Sequence, residues 1–298
     1  MDQIKALPVR VLLRLCACLP LGVARWLGRC AAALYWPLRG ASRRVTERNI
    51  ELAFPGLDAP RRQRLARDSL AATAELAAEM GHVWLRGWPW LQRHILAVEG
   101  ADLVRDAQAA GRGVIVLAPH LGNWEVTGLH LATLGPTVSL YEPPHLRDLD
   151  AMIRRARQRS GATLVPTDSR GLARLLKSVR GGHISGILPD QCPRDVGSGM
   201  NSHFMGVRCF TGTLASNMIR RTGALALFGY GRRVPGGWVV CYRPADEDIY
   251  SDDTATSLAA LNRGVEDCLR DCPAQYQWEY KRFKIRPKEG PGVYADLK

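Results

Sequence analysis

Long uncharged runs are scarce in this chain. The stretch 8-PVRVLLRLCACLPLGVARWLGRCAAALYWPLRG-40 is its most apolar part, but Arg10, Arg14, Arg25 and Arg29 divide it. Its longest uncharged runs, Leu15 to Ala24 and Cys30 to Leu38, hold ten and nine residues. A spanning helix needs about 20, so a clean transmembrane span is disfavoured. A secretory signal is not expected either, because the apolar core is interrupted and no small-residue cleavage site closes it. Acidic residues are also in short supply. Against 41 Lys and Arg there are 28 Asp and Glu, a net charge of +13, which implies attraction to nucleic acid, an acidic membrane surface or an acidic partner. Cys16, Cys18, Cys30, Cys192, Cys209, Cys241, Cys268 and Cys272 form no Cys-x-x-Cys pair, so the usual zinc and redox motifs are missing and the thiols read as reduced and packed. There is no His-Glu-x-x-His, no Gly-x-Ser-x-Gly, no Gly-x-Gly-x-x-Gly after a strand and no Walker loop. Gly111-Arg112-Gly113 precedes a strand and is not a phosphate loop.

With 298 residues, 46% of them hydrophobic and 23% charged, the chain has the composition of a globular protein with a sizeable core. A helical stripe runs through Leu65, Leu70, Ala74, Ala77 and Met80. Beyond Gly111, strand-like runs at 113–118, 137–141, 162–166, 184–189, 224–230 and 237–243 alternate with helical patterns near 124–134, 146–160, 170–180 and 211–222, and a last helix covers roughly 254–268. Such alternation predicts an α/β fold with a mostly parallel or mixed central sheet flanked by helices. No repeat, low-complexity tract or long linker interrupts it. One α/β unit, residues 46–298, behind an amphipathic amino-terminal arm, residues 1–45, is the economical division.

Arginines interleaved with Leu, Trp and Tyr suit helices lying in a membrane interface, their guanidinium groups reaching phosphates. Residues 1–64 carry twelve Lys and Arg against four Asp and Glu, which favours that reading. The alternative is a pair of helices packed on the main domain.

The stretch 112-RGVIVLAPHLGNWEVTG-128 concentrates the chemistry. Val114 to Ala118 reads as a buried strand, and Gly122-Asn123 as a turn into a helix beginning near Trp124. His120 then sits at the carboxyl end of a strand, the edge where open α/β sheets bind ligands. On one helix a five-residue spacing would put His120 and Glu125 on different faces; with a turn between them they can hydrogen-bond, giving a histidine base oriented by a carboxylate. The same spacing accommodates a histidine satisfied by a backbone carbonyl beside an ordinary first-turn acid.

His120-Leu121-Gly122-Asn123-Trp124-Glu125 resembles the His-x4-Asp/Glu motif of glycerolipid and lipid A acyltransferases, and its glutamate points to the late acyltransferases of lipid A biosynthesis, the lauroyl/myristoyl family. The segments 48-RNIELAFPGL-57, 154-RRARQRSG-161, 189-PDQCPRDVGSGMNSHFMG-206 and 275-QYQWEYKRFKIRP-287 support the resemblance over nearly the whole chain. One departure is Phe204-Met205-Gly206, where relatives often have paired phenylalanines before glycine.

The resemblance implies an acyltransferase that moves a fatty acyl chain from acyl carrier protein to a hydroxyl of a lipid A precursor, at the cytoplasmic face of a Gram-negative inner membrane, with no cofactor and no metal. His120 is then the general base and Glu125 its orienting partner, the nucleophile coming from substrate, as in a hydrolase triad that lacks its serine. Arg157 and Asp190 match family positions beside that pair, Arg157 for a substrate phosphate or a developing oxyanion and Asp190 to fix the arginine or the histidine. Gly122 and Asn123 complete the expected substrate-binding set. The other histidines, His82, His94, His130, His145, His183 and His203, show no ligand spacing. The basic surplus, including Lys281, Arg282, Lys284, Arg286 and Lys288 interleaved with Tyr280 and Phe283, would meet the acidic carrier protein and the anionic glycolipid acceptor at the inner-membrane surface. Nucleic acid is not the expected partner. Competing readings are a different glycolipid or lysophospholipid acceptor and a catalytically silent membrane adaptor.

Overall fold

The computed structural model describes residues 2–144, 146–285 and 290–297; His145, Arg286 and Lys288 lie outside them. Four helices come first: α1 (Asp2–Cys18), α2 (Leu21–Tyr35), α3 (Ala41–Ala53) and α4 (Ala59–Leu85). Asp58 starts α4 by accepting from the Arg61 amide at 2.8 Å, with Pro60 in the first turn, where a missing N–H costs nothing. Short α5 (Trp88–His94), β1 (Ile95–Glu99) and α6 (Ala101–Ala109) lead into β2 (Val114–Leu117) and α7 (Trp124–Leu131). There follow β3 (Val138–Tyr141), α8 (Asp150–Gln158), β4 (Thr163–Pro166), α9 (Ser169–Arg180), β5 (Ile184–Ile187), the hairpin β6 (Gly199–Phe204) and β7 (Val207–Gly212), α10 (Leu214–Thr222), the hairpin β8 (Leu225–Val234) and β9 (Gly237–Pro244), and α11 (Thr254–Asp271).

The central sheet has the order β1-β9-β8-β2-β5, all pairs parallel except β8-β9. The predicted mixed α/β architecture is therefore correct. Helices cover both faces, and the alternation along β2 shows how. Ile115 and Leu117 pack with Leu175, Val179, Met218 and Leu261 on one side, while Val114 and Val116 pack with Val104, Val126, Leu129 and Trp238 on the other. Because both faces are buried, β2 carries no polar residue at all. β1 and the β6-β7 hairpin were not legible as strands; β1 is an edge with only Ile95 partly covered and β6 is largely polar. The departure at Met205-Gly206 is the tip of that hairpin, with φ of 53° and 74°, the paired left-handed geometry of a tight hairpin turn. Glu266 secures it by accepting from the Met205 amide at 2.6 Å.

The amino-terminal helices join this body through charge. Arg25, expected to reach lipid, is instead buried on Glu79 of α4 at 2.7 Å and donates to the Val234 and Gly237 carbonyls of the β8-β9 hairpin at 2.7 and 2.9 Å. Arg29 pairs with Glu75 at 2.6 Å. The same helices leave Leu7, Leu12, Leu15, Trp26 and Leu34 exposed. Among the described residues no helix is long and apolar enough to cross a membrane.

Candidate active site

Register explains the centre of the site. β2 and β5 run parallel with Val114 opposite Ile184 and Leu117 opposite Ile187. Continuing each strand three residues past its end reaches His120 and Asp190, which meet at the carboxyl edge of the sheet. Asp190 Oδ1 accepts from His120 Nδ1 at 2.8 Å and Oδ2 accepts from the His120 backbone amide at 3.0 Å. The carboxylate is almost fully buried. Burial alone would raise its pKa, but attraction to His120, the two hydrogen bonds from that residue and nearby Arg282 together hold it below the usual carboxylate value.

Glu125 does not serve His120. Its carboxylate is held by Arg157 of α8, with Nε at 3.2 and 3.0 Å from the two oxygens and Nη2 at 2.5 Å from Oε1. The expected His120–Glu125 hydrogen bond is thus replaced by two pairs, His120–Asp190 and Glu125–Arg157. The reason is geometric: after the turn, α7 carries Glu125 towards α8, whereas the parallel register leaves Asp190 beside His120. The Arg157 guanidinium stays firmly protonated, because the attraction and hydrogen bonds of Glu125 outweigh its burial.

Gly122 and Asn123, expected to bind substrate, are structural. Gly122 has φ +60°, and a Cβ there would lie 2.1 Å from the Gly231 carbonyl oxygen, so only glycine fits. Its amide donates to the Gln275 carbonyl at 3.0 Å. Asn123 is fully buried. Its side chain caps α7 by accepting from the Val126 amide at 3.2 Å and donates to Glu79 Oε2 at 2.8 Å.

Glu79 was not visible in the sequence as a site residue. Wholly buried, it binds Arg25, Asn123, Arg233 (Nε at 2.5 Å) and the Trp238 indole at 3.2 Å. Its pKa falls despite burial because Arg233 and Arg25 stabilise the anion. One buried carboxylate therefore ties α2, α4 and the β8-β9 hairpin to the turn that presents His120.

The segment after α11 closes the other side. Leu121 bridges Tyr276, and the Gln277 amide donates to the His120 carbonyl at 3.0 Å. Arg282, expected on a cationic surface, is buried with Phe283 and donates to the Phe210 carbonyl, Thr211 and Asn262 at 2.8, 2.9 and 3.0 Å. Lys281 and Lys284 are half-buried.

Beside the Glu125–Arg157 pair lies an apolar cavity of about 110 Å³. Trp124, Leu129, Leu131, Leu140, Leu164 and Leu188 line it, with Glu125 and Arg157 at its polar end. Trp124 also meets His120 edge-on, ring centres 4.8 Å apart. A histidine with one nitrogen fixed by a buried carboxylate, next to an apolar slot that ends in a guanidinium, can take a proton from a hydroxyl and steady a carbonyl oxygen.

Residues 6–285 match the family model described as bacterial lipid A biosynthesis acyltransferase. The chain belongs to that family. It is accordingly an O-acyltransferase. The chain is 26% identical over 256 residues, 84% of its length and 82% of the relative's, to a lipid A biosynthesis lauroyltransferase of Escherichia coli strain K12. It is also 26% identical over 280 residues, 93% of its length and 90% of the relative's, to the lipid A biosynthesis palmitoleoyltransferase of the same strain. The lipid A biosynthesis myristoyltransferase of that strain is 24% identical over 262 residues, 87% of this chain and 79% of its own. The family assignment read from His120 to Glu125 and the four supporting segments is thus borne out.

Proposed function

We propose that the enzyme transfers a fatty acyl chain from the thioester of acyl carrier protein to a hydroxyl of a lipid A precursor, forming an ester at the cytoplasmic face of the inner membrane. The observation that carries this reading is the His120–Asp190 pair, 2.8 Å apart near an apolar cavity. With Nδ1 bound to Asp190, His120 offers Nε2 to a substrate hydroxyl. It removes the proton as the hydroxyl oxygen attacks the thioester carbonyl, and later delivers it to the departing sulfur. Arg157, aimed by Glu125, is suited to the negative oxygen that develops on the carbonyl, and the cavity to the acyl chain. Glu125 acts through Arg157 as a positioning residue. In this proposal protein side chains carry the whole step, with no cofactor and no metal.

The relatives' names, all lipid A biosynthesis transferases, support a glycolipid acceptor. Exposed Leu7, Leu12, Leu15, Trp26 and Leu34 support a role for residues 1–45 as the arm that rests on the membrane, and residues 46–298 as the acyltransferase domain. The net charge of +13 suits both an acidic carrier protein and an anionic lipid surface.

The test is transfer from radiolabelled acyl-acyl carrier protein to a tetra-acylated lipid A precursor by wild type and His120→Ala. The expected loss in the variant is about two or more powers of ten. A wild type active only on another hydroxyl lipid would change the acceptor and leave the chemistry; full activity in His120→Ala would remove the base.

A further inference from the structure

His120 Nε2, the nitrogen left to substrate, is already occupied. Gln191 Nε2 lies 3.1 Å from it and 3.2 Å from Gln277 Oε1. Gln277 is held in turn, because its backbone amide donates to the His120 carbonyl at 3.0 Å. Gln277 turns its side-chain carbonyl oxygen to Gln191. The Gln191 nitrogen must then be the donor to both Gln277 and His120. This agrees with Asp190 holding the proton on His120 Nδ1 and leaves Nε2 as an acceptor. Gln191 is nevertheless exposed to solvent, so only its hydrogen bonds hold it over the base.

We propose that Gln191 guards the base: its amide stands where the acceptor hydroxyl must stand, and gives way to a bound lipid hydroxyl but not to a passing water. The inference rests on the function proposed above. In the productive step the hydroxyl O–H replaces the amide at Nε2, the new ester C–O bond forms as the thioester C–S bond breaks, and His120 returns the proton to sulfur, giving ester and free thiol. If water entered instead, the same sequence would give a free fatty acid and the thiol, wasting the donor. A lipid hydroxyl has the binding energy of its whole molecule with which to displace one amide; water has none. Gln191 is a positioning residue in this scheme and Gln277 its tether.

The experiment measures two rates with acyl-acyl carrier protein: release of free fatty acid without acceptor, and transfer to the lipid precursor. Wild type, Gln191→Ala and Gln277→Ala are compared. In Gln191→Ala the ratio of hydrolysis to transfer should rise roughly tenfold, the weight of one ordinary hydrogen bond, and in Gln277→Ala it should rise by less. Adding His120→Ala to Gln191→Ala should abolish the extra hydrolysis. An unchanged ratio, equal loss of both rates, or hydrolysis that survives removal of His120 would overturn the guard while leaving the acyltransferase reading intact. A wild type that acylates no hydroxyl lipid would overturn that reading and the guard with it.

Discussion

Asp190 Oδ1 lies 2.8 Å from His120 Nδ1 although 70 residues separate them in the chain, and the same 70-residue offset pairs every residue of β2 with β5. The dyad is the parallel register carried three residues beyond the strands. An asparagine at position 190 would keep the shape but could present its NH2 group to Nδ1, favouring the tautomer with the proton on Nε2. Asp190→Asn should therefore lower the transfer rate by about two to four powers of ten at a nearly unchanged melting temperature. A loss below tenfold would show that the carboxylate does not set the tautomer.

Glu125 and Arg157 should behave as one unit. Removing either side leaves the other misplaced, so Glu125→Ala, Arg157→Ala and the double variant should show similar activity losses, with a coupling of roughly 1–3 kcal/mol in the cycle. Arg157→Lys should not restore activity, because a single ammonium cannot reproduce the fork that spans both carboxylate oxygens. Additive losses in the double variant would mean that Glu125 acts on something other than Arg157.

Glu79→Gln should damage stability and activity together. The substitution leaves Arg25 buried without its counter-charge and Arg233 with Glu75 alone at 3.3 Å, and breaking a buried pair costs about 3–5 kcal/mol. It also loosens Asn123 and hence the turn carrying His120. Arg25→Met should cost less, because Arg233 still neutralises Glu79. Urea unfolding in detergent, read alongside transfer rate, separates these outcomes; a Glu79→Gln protein as stable as wild type would refute the network's role.

His130 gives the fold a pH dependence remote from the chemistry. Burial, and then the charge of Arg105, push its pKa from 6.5 down to about 4, while its Nδ1 lies 2.9 Å from the Tyr242 hydroxyl. Above pH 6.5 neither folded nor unfolded chain protonates it and its contribution is complete. As pH falls from 6.5 towards 4 the unfolded chain takes up a proton that the folded one refuses, so stability declines by up to about 1.4 kcal/mol per unit. His130→Gln should flatten the stability profile in that window, as measured by urea midpoints; an identical slope would assign the acid sensitivity elsewhere.

The sequence by itself determined the strand that delivers His120, the glycine turn after it and the family. It could do so because burial on both faces of β2 leaves a purely apolar run, and because Gly122 sits where no Cβ fits. The ordered segments spread along the chain had the same local legibility. The partnerships, however, were decided only by tertiary structure. Spacing allowed His120 and Glu125 to meet, but register placed Asp190 there instead and sent Glu125 to Arg157. Composition suggested that Arg25 and Arg282 would face anionic surfaces, yet both are enclosed with their own acceptors. A sequence records which side chains carry charge. Which charge meets which depends on strand register and on helices packed from far along the chain, and those long-range pairings have no periodic signature to read.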